Sequence, residues 1–135
     1  MVIPVATEKL IIFQKTYDFV STWLFPSINR IPKYHKTILG KQMEELGLSI
    51  LLLILCANKE TGKKRIALQI KLSDDLDKLR ILLRLTKDLR FMSIKQYSHG
   101  AQLLNEIGRV LTGWMRVRVE EKEIVAKQDQ NMTLW

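Results

Sequence analysis

Three basic side chains, Arg80, Arg84 and Lys87, are spaced so that they could bind a polyanion. On a helix, the spacing i, i+4 and i+7 places them along one line, roughly one turn apart. Guanidinium groups match phosphate oxygens in a bidentate geometry, so such a row could contact successive phosphates of a nucleic acid. The alternative is a solvated helix face, its charge partly neutralised by Asp77 and Asp88. The spacing alone leaves both interpretations open.

The other candidates for reactive chemistry form no catalytic or metal-binding motif. His35 and His99 lie in different segments, and neither has a cysteine or carboxylate at the spacing of a metal site. Cys56 lies in the most apolar run of the chain, where thiols usually pack as inert groups. The densest carboxylate cluster is Asp74, Asp75 and Asp77. On a helix this cluster spreads over a wide arc, which favours a solvated face over a metal site. We therefore expect a protein that is not an enzyme, binds no metal and needs no cofactor.

The charge of the chain points towards an anionic partner. Its 135 residues carry 22 Lys and Arg against 14 Asp and Glu, a formal net charge of +8. Residues 1–118 alone carry 20 of the basic and 10 of the acidic side chains. A folded protein with this excess attracts polyanions such as RNA and DNA.

Composition also indicates a cytoplasmic protein without a membrane partner. A single cysteine excludes an intramolecular disulfide framework and agrees with a reducing compartment. The first residues lack the pattern of a secretion signal. The longest apolar run, residues 48–57, is much shorter than the ~20 residues of a membrane span.

Apolar spacing predicts an all-α fold, an antiparallel four-helix bundle in one domain covering residues 1–118. The predicted helices run over about residues 8–29, 36–58, 64–91 and from Ser93 onward. A break in the third helix at residues 73–75 is an alternative, because serine and aspartate also make good helix caps. Residues 119–135 are charged and polar and are predicted to form a C-terminal tail, as a frayed helix or disordered segment.

Individual residues mark the ends and the inner face of these helices. Thr7 is placed to cap the first helix, and Pro26 is expected to bend or end it. Ser93 and Gln96 have the spacing of a capping box for the fourth helix. The predicted inner stripe of the fourth helix is Ile94, Tyr97, Ala101, Leu104, Gly108, Leu111 and Met115. The small residues Ala101 and Gly108 on this stripe are predicted to let another helix approach closely.

Two helices carry more apolar surface than one small bundle can cover. The second helix is apolar all round between residues 50 and 57. The third has one apolar side at Leu68, Leu72, Leu76, Leu79 and Leu83, and another at Ile81, Leu82, Leu85 and Leu89. These second faces favour contact with a neighbouring subunit, although burial wholly within the monomer is the alternative for the second helix.

Several local patterns resemble a known family. They are the run from Leu82 to Arg90, the pair Tyr97-x-His99, and the block Glu106-Ile107-Gly108-Arg109 followed by Gly113-Trp114. Together with early Tyr17-Asp18, Pro26 and Ile31-Pro32, they resemble the accessory variability determinant (Avd) proteins of diversity-generating retroelements. The likeness covers about residues 10–116. The family is similar in outline to four-helix proteins encoded in intervening sequences of bacterial large-subunit ribosomal RNA genes, an interaction-protein family of unclear role, which is the alternative assignment.

The resemblance implies a fold, an assembly and partners. Avd proteins are four-helix bundles that form homopentameric barrels. They bind the retroelement's reverse transcriptase and nucleic acid, and they are needed for mutagenic copying of a template RNA into cDNA. Arg80 and Arg84 match arginines in the family's third helix that are associated with this binding. Lys87 is added from helical geometry alone.

Overall fold

A computed structural model describes the backbone of residues 10–133 and the side chains of residues 10–116. Within residues 10–133 the chain forms four helices and no strand, which confirms the all-α four-helix bundle. The second and third helices begin at Lys33 and Gly62. The helices, with π-helical turns in the first two, are α1 (Ile11–Asp18, π-helical Phe19–Leu24, Phe25–Asn29), α2 (Lys33–His35, π-helical Lys36–Gly40, Lys41–Lys59), α3 (Gly62–Asp88) and α4 (Ile94–Thr133).

Pro26 does not end the first helix, which continues to Asn29. The turn before it is π-helical, with the N–H of Phe25 bonded to the carbonyl of Val20. This wider turn accommodates a proline, which lacks a donor and crowds the preceding turn of an ordinary α-helix. The predicted start of the helix, with its Thr7 cap, lies outside the described residues.

Helix α3 is one continuous helix, without a break at residues 73–75. The reason is visible at Asp75, whose side chain faces inward and accepts a 2.7 Å hydrogen bond from the hydroxyl of Ser49 on α2. The expectation of a solvated face was therefore wrong for Asp75, which is 6% exposed. Buried leucines continue on both sides of this point, at Leu72 and Leu76, so packing outweighs the capping signal.

The start of α4 was predicted correctly. The N–H of Gln96 donates to the hydroxyl of Ser93 at 3.1 Å, and the side chain of Gln96 accepts from the N–H of Ser93 at 3.4 Å. Ile94 was wrongly placed on the inner stripe, since it is 75% exposed at the first position of the helix, ahead of the packed turns. The backbone stays helical to Thr133. The division at residue 118 stays a prediction.

The tight contact between α1 and α4 depends on Gly100, not on the predicted Ala101. A Cβ at Gly100 would lie 2.3 Å from the indole ring of Trp23. That ring is buried and stacks on Phe19 with ring centroids 5.4 Å apart. Helix α4 also packs along α3, and these two helices form the wall that carries the basic side chains discussed next.

Candidate nucleic-acid interface

The three basic residues of α3 do not form a simple exposed row. Their side-chain exposures are 38% for Arg80, 68% for Arg84 and 27% for Lys87. Each has an aspartate of the same helix within ion-pair distance, from either Asp77 or Asp88. The helix that was predicted is present, but neighbouring contacts direct the three head groups to different places.

Arg80 turns towards α4. Its Nη1 donates to Oδ1 of Asp77 at 2.7 Å. Its Nη2 occupies the space left by the missing side chain of Gly108, where a Cβ would lie only 2.6 Å away. The Nε of Arg80 is buried and makes no hydrogen bond within the described part of the chain. Gly108, predicted to admit another helix, therefore admits an arginine head group.

Asp88 lies between the other two basic residues. Its Oδ2 is 3.9 Å from Nε of Arg84, and its Oδ1 is 3.3 Å from Nζ of Lys87. The ammonium of Lys87 also lies 4.7 Å from the ring centroid of Tyr97 on α4, a cation–π contact. Exposed ion pairs of this kind are weak and screened by salt, so a phosphate could displace Asp88. The binding role of Arg80, Arg84 and Lys87 stays a prediction.

A groove of about 540 Å³ runs between α3 and α4 beside Arg80. Two arginines of α4, Arg109 and Arg116, line it together with Arg80, and no acidic side chain is among its lining residues within the described chain. We call this feature the arginine groove. Its floor combines apolar side chains such as Leu111 with hydroxyl and amide groups.

Sequence reasoning missed the two α4 arginines. Glu106 lies one turn before Arg109, where an ion pair would be ordinary, but it pairs with Lys15 of α1, at 3.4 Å. The signal that could have identified them is their spacing, since Arg109 and Arg116 are seven residues apart and share one helix face.

A second basic depression, of about 870 Å³, lies at the turn between α3 and α4. Arg30, Lys87 and Arg90 line it together with a single carboxylate, Asp88. The described chain therefore has basic surface both in the arginine groove and at this end of the bundle. Phosphates could contact it over an extended path.

Cys56 and His35, considered above as reactive groups, are not part of a catalytic or metal-binding cluster within residues 10–116. Cys56 is exposed, so its predicted burial was wrong, because it lies on the outer side of α2. The ring of His35 packs at 4.6 Å from that of Phe91, which is a structural contact. Across residues 10–116 no three side chains of metal-ligating type come together. No helix of the described chain is long and apolar enough to cross a membrane.

A family model described as bAvd-like matches residues 10–118, nearly the whole of the described bundle. No curated protein matches the chain.

Proposed function

The chain belongs to the bAvd-like family, and from that membership we propose that it is a non-catalytic accessory protein of a diversity-generating retroelement. In this role it binds the error-prone reverse transcriptase and nucleic acid, template RNA or cDNA, through its basic surface during mutagenic copying. The family match carries the proposal. It also favours this role over that of an intervening-sequence protein of ribosomal RNA genes.

The charge distribution supports the nucleic-acid part of the proposal. The basic residues of α3 and α4 lie on adjoining surfaces, and the aspartates that contact them sit on α3 only. Association with a polyanion would release counterions, so binding should weaken steeply as salt rises. Arg84 is the most exposed of the predicted residues and can reach a partner without rearrangement of the bundle.

Exposed apolar side chains support self-assembly, which we propose to be homopentameric. On α3, Ile81, Leu85 and Leu89 are spaced four apart and are 64%, 43% and 48% exposed. On α2, Leu48 and Leu52 are 45% and 57% exposed. Rows of this kind are typical of subunit interfaces.

The first test is co-purification of the tagged protein with the reverse transcriptase encoded beside it. We expect Arg80→Ala/Arg84→Ala to lower recovery of the polymerase and affinity for RNA. The matched control Lys63→Ala/Lys64→Ala removes the same charge at the other end of α3 and should change both much less. A folded double variant that binds both partners as the native chain does would remove these arginines from the interface. A native chain that captures neither would contradict the proposed function.

Assembly is tested separately by light scattering. The native protein should give a mass of five chains of 15.8 kDa. Ile81→Glu/Leu85→Glu should reduce this mass while circular dichroism stays helical, because charges would be buried at the interface. Gln102→Glu/Lys71→Glu adds acidic side chains at exposed positions of α4 and α3 and should leave the mass unchanged. A native monomer would exclude the pentamer.

A further inference from the structure

The two α4 arginines of the groove differ from Arg80, Arg84 and Lys87 of α3 in how their charge is compensated. Asp77 or Asp88 contacts each of the three α3 side chains. Arg109 and Arg116 make no ion pair with any side chain of residues 10–116. Both line the groove, so their guanidinium groups can bind an anion there without first displacing a carboxylate of residues 10–116.

The groove brings together guanidinium groups from two helices. Arg80 comes from α3, and Arg109 and Arg116 come from α4. The latter two are seven positions apart in the helix, roughly 10 Å along its axis. An extended anion lying along α4 could therefore meet both, together with Arg80, whose head group lies beside Gly108. A single small anion could not bridge that distance.

An anion in the groove would complete the hydrogen bonding of the Arg80 guanidinium. Its Nη1 is occupied by Asp77, while its Nε is shielded and makes no hydrogen bond with the described residues. A buried donor without an acceptor is costly. A modest turn of the guanidinium towards an anion in the groove would supply the acceptor. The room for this turn exists because Gly108 has no side chain.

The floor of the groove suits a sugar or base better than a bare phosphate. Leu76, Leu111 and Met115 supply apolar surface, and Asn105 and Thr112 supply polar groups. The Thr112 hydroxyl donates to the carbonyl of Gly108 at 2.9 Å, which leaves its oxygen free to accept from a ligand. Charged rims with a mixed floor match a phosphate backbone whose sugars lie between the phosphates.

The size of the groove favours a single strand. The axes of packed helices are roughly 8–10 Å apart. An acidic helix of a partner protein, about 10–12 Å in diameter, would rest on both helices and reach the groove only with its side chains. A nucleic-acid duplex could contact only its rim. One extended strand carries a charge at every nucleotide and is narrow enough to lie within it.

We propose that the arginine groove binds the phosphate backbone of single-stranded nucleic acid, with Arg109 and Arg116 acting together with Arg80. This inference rests on the nucleic-acid part of the proposed function. It adds a defined binding surface on α4 and a preference for single strands.

The test measures fluorescence anisotropy of labelled single-stranded RNA and of a matched duplex at several salt concentrations, with the full-length chain. Arg109→Ala/Arg116→Ala should lower affinity for the single strand on the order of tenfold. It should also make the salt dependence shallower by roughly 1.4, about 0.7 for each lost phosphate contact. Arg109→Lys/Arg116→Lys should keep the salt slope but not the full affinity, because lysine supplies charge without the bidentate geometry.

Matched variants separate the groove from general electrostatics. Lys63→Ala/Lys64→Ala removes the same charge from exposed positions outside the groove and should leave affinity and slope near those of the native chain. Equal losses in this control and in the groove variant would overturn the proposal. Unchanged binding by Arg109→Ala/Arg116→Ala would also overturn it while leaving the proposed function standing.

Two further outcomes address the ligand. Duplex bound more tightly than single strand, or polyglutamate displacing RNA from the native chain but not from the groove variant, would overturn the choice of a single strand. A native chain that binds no RNA at any salt concentration would remove the nucleic-acid part of the proposed function and this inference with it. Circular dichroism and light scattering on every variant establish that fold and assembly are unchanged.

Discussion

Replacing Gly100 with alanine is expected to destabilise the bundle, although the same replacement at two other glycines of α4 should not. At Gly100 the new methyl group would lie 2.3 Å from the buried indole of Trp23. At Gly108 it would meet only the end of the flexible Arg80 side chain, at 2.6 Å. At Gly113 it would meet no atom of the described residues within 4 Å.

The expected magnitudes follow from two opposing terms. Alanine in a helix interior is more favourable than glycine by roughly 0.5–1 kcal/mol. Overpacking a buried contact costs typically about 1–3 kcal/mol. Gly113→Ala has only the first term and should gain about 0.5–1 kcal/mol. Gly100→Ala has both, and Trp23 is wedged against Phe19, so it should lose about 1–2 kcal/mol.

Gly108→Ala should move the Arg80 guanidinium without destabilising the fold. Arg80 can swing away from the new methyl group, so the free energy of unfolding should be near that of Gly113→Ala. The displaced guanidinium should also alter RNA binding if the arginine groove is used. The same variant therefore reports on folding and on the site.

The assay is urea unfolding followed by far-ultraviolet circular dichroism, at one protein concentration because self-assembly contributes to stability. The m-values of the three variants should agree, so that midpoints report free energies. A Gly100→Ala variant as stable as Gly113→Ala would refute the close packing of α1 on α4. A strongly destabilised Gly113→Ala variant would show that the outer side of α4 is covered.

Three other substitutions test particular contacts by the same unfolding assay. Arg65→Ala should destabilise by about 2 kcal/mol, because this buried guanidinium caps α2 through two main-chain carbonyls at 2.9 and 3.1 Å; a change within error would contradict this. Ser49→Ala should cost about 1–3 kcal/mol by leaving buried Asp75 without its 2.7 Å donor, and the loss should shrink in an Asp75→Asn background; additive losses would mean the two are not coupled. Arg90→Gly should raise the free energy of unfolding by about 1 kcal/mol, since φ of +65° at this position favours glycine. Arg90→Ala should not raise it. Equal effects of the two variants would mean that loss of the arginine side chain, and not the backbone conformation, causes the change in stability.

Local periodicity accounts for most of what could be predicted. The buried positions of α3 at Leu72, Leu76, Leu79 and Leu83 follow directly from the three- and four-residue spacing. The capping box at Ser93 depends on residues three apart and could be predicted in the same way. The exposure of Leu85 was also expected, because it lies opposite that stripe. Such features involve neighbours in sequence, so they need no knowledge of packing.

The candidate site was only partly predictable, because charged side chains form ion pairs and contacts with residues of other helices. Glu106 has Arg109 one turn away, yet it pairs with Lys15, 91 residues distant in the chain. Arg80 could have projected along α3, but Gly108 of α4 offers it space.

The sequence by itself determined the helices, their apolar faces, the positive charge and, through its motifs, the family. These follow from the helical repeat and from composition, which are properties of short stretches and of the whole chain. Only the tertiary structure decided that Arg80, Arg109 and Arg116 line one groove without a lining carboxylate in the described chain. Packing sets which side chains meet when helices come together, and that choice is not encoded in the spacing of any one helix.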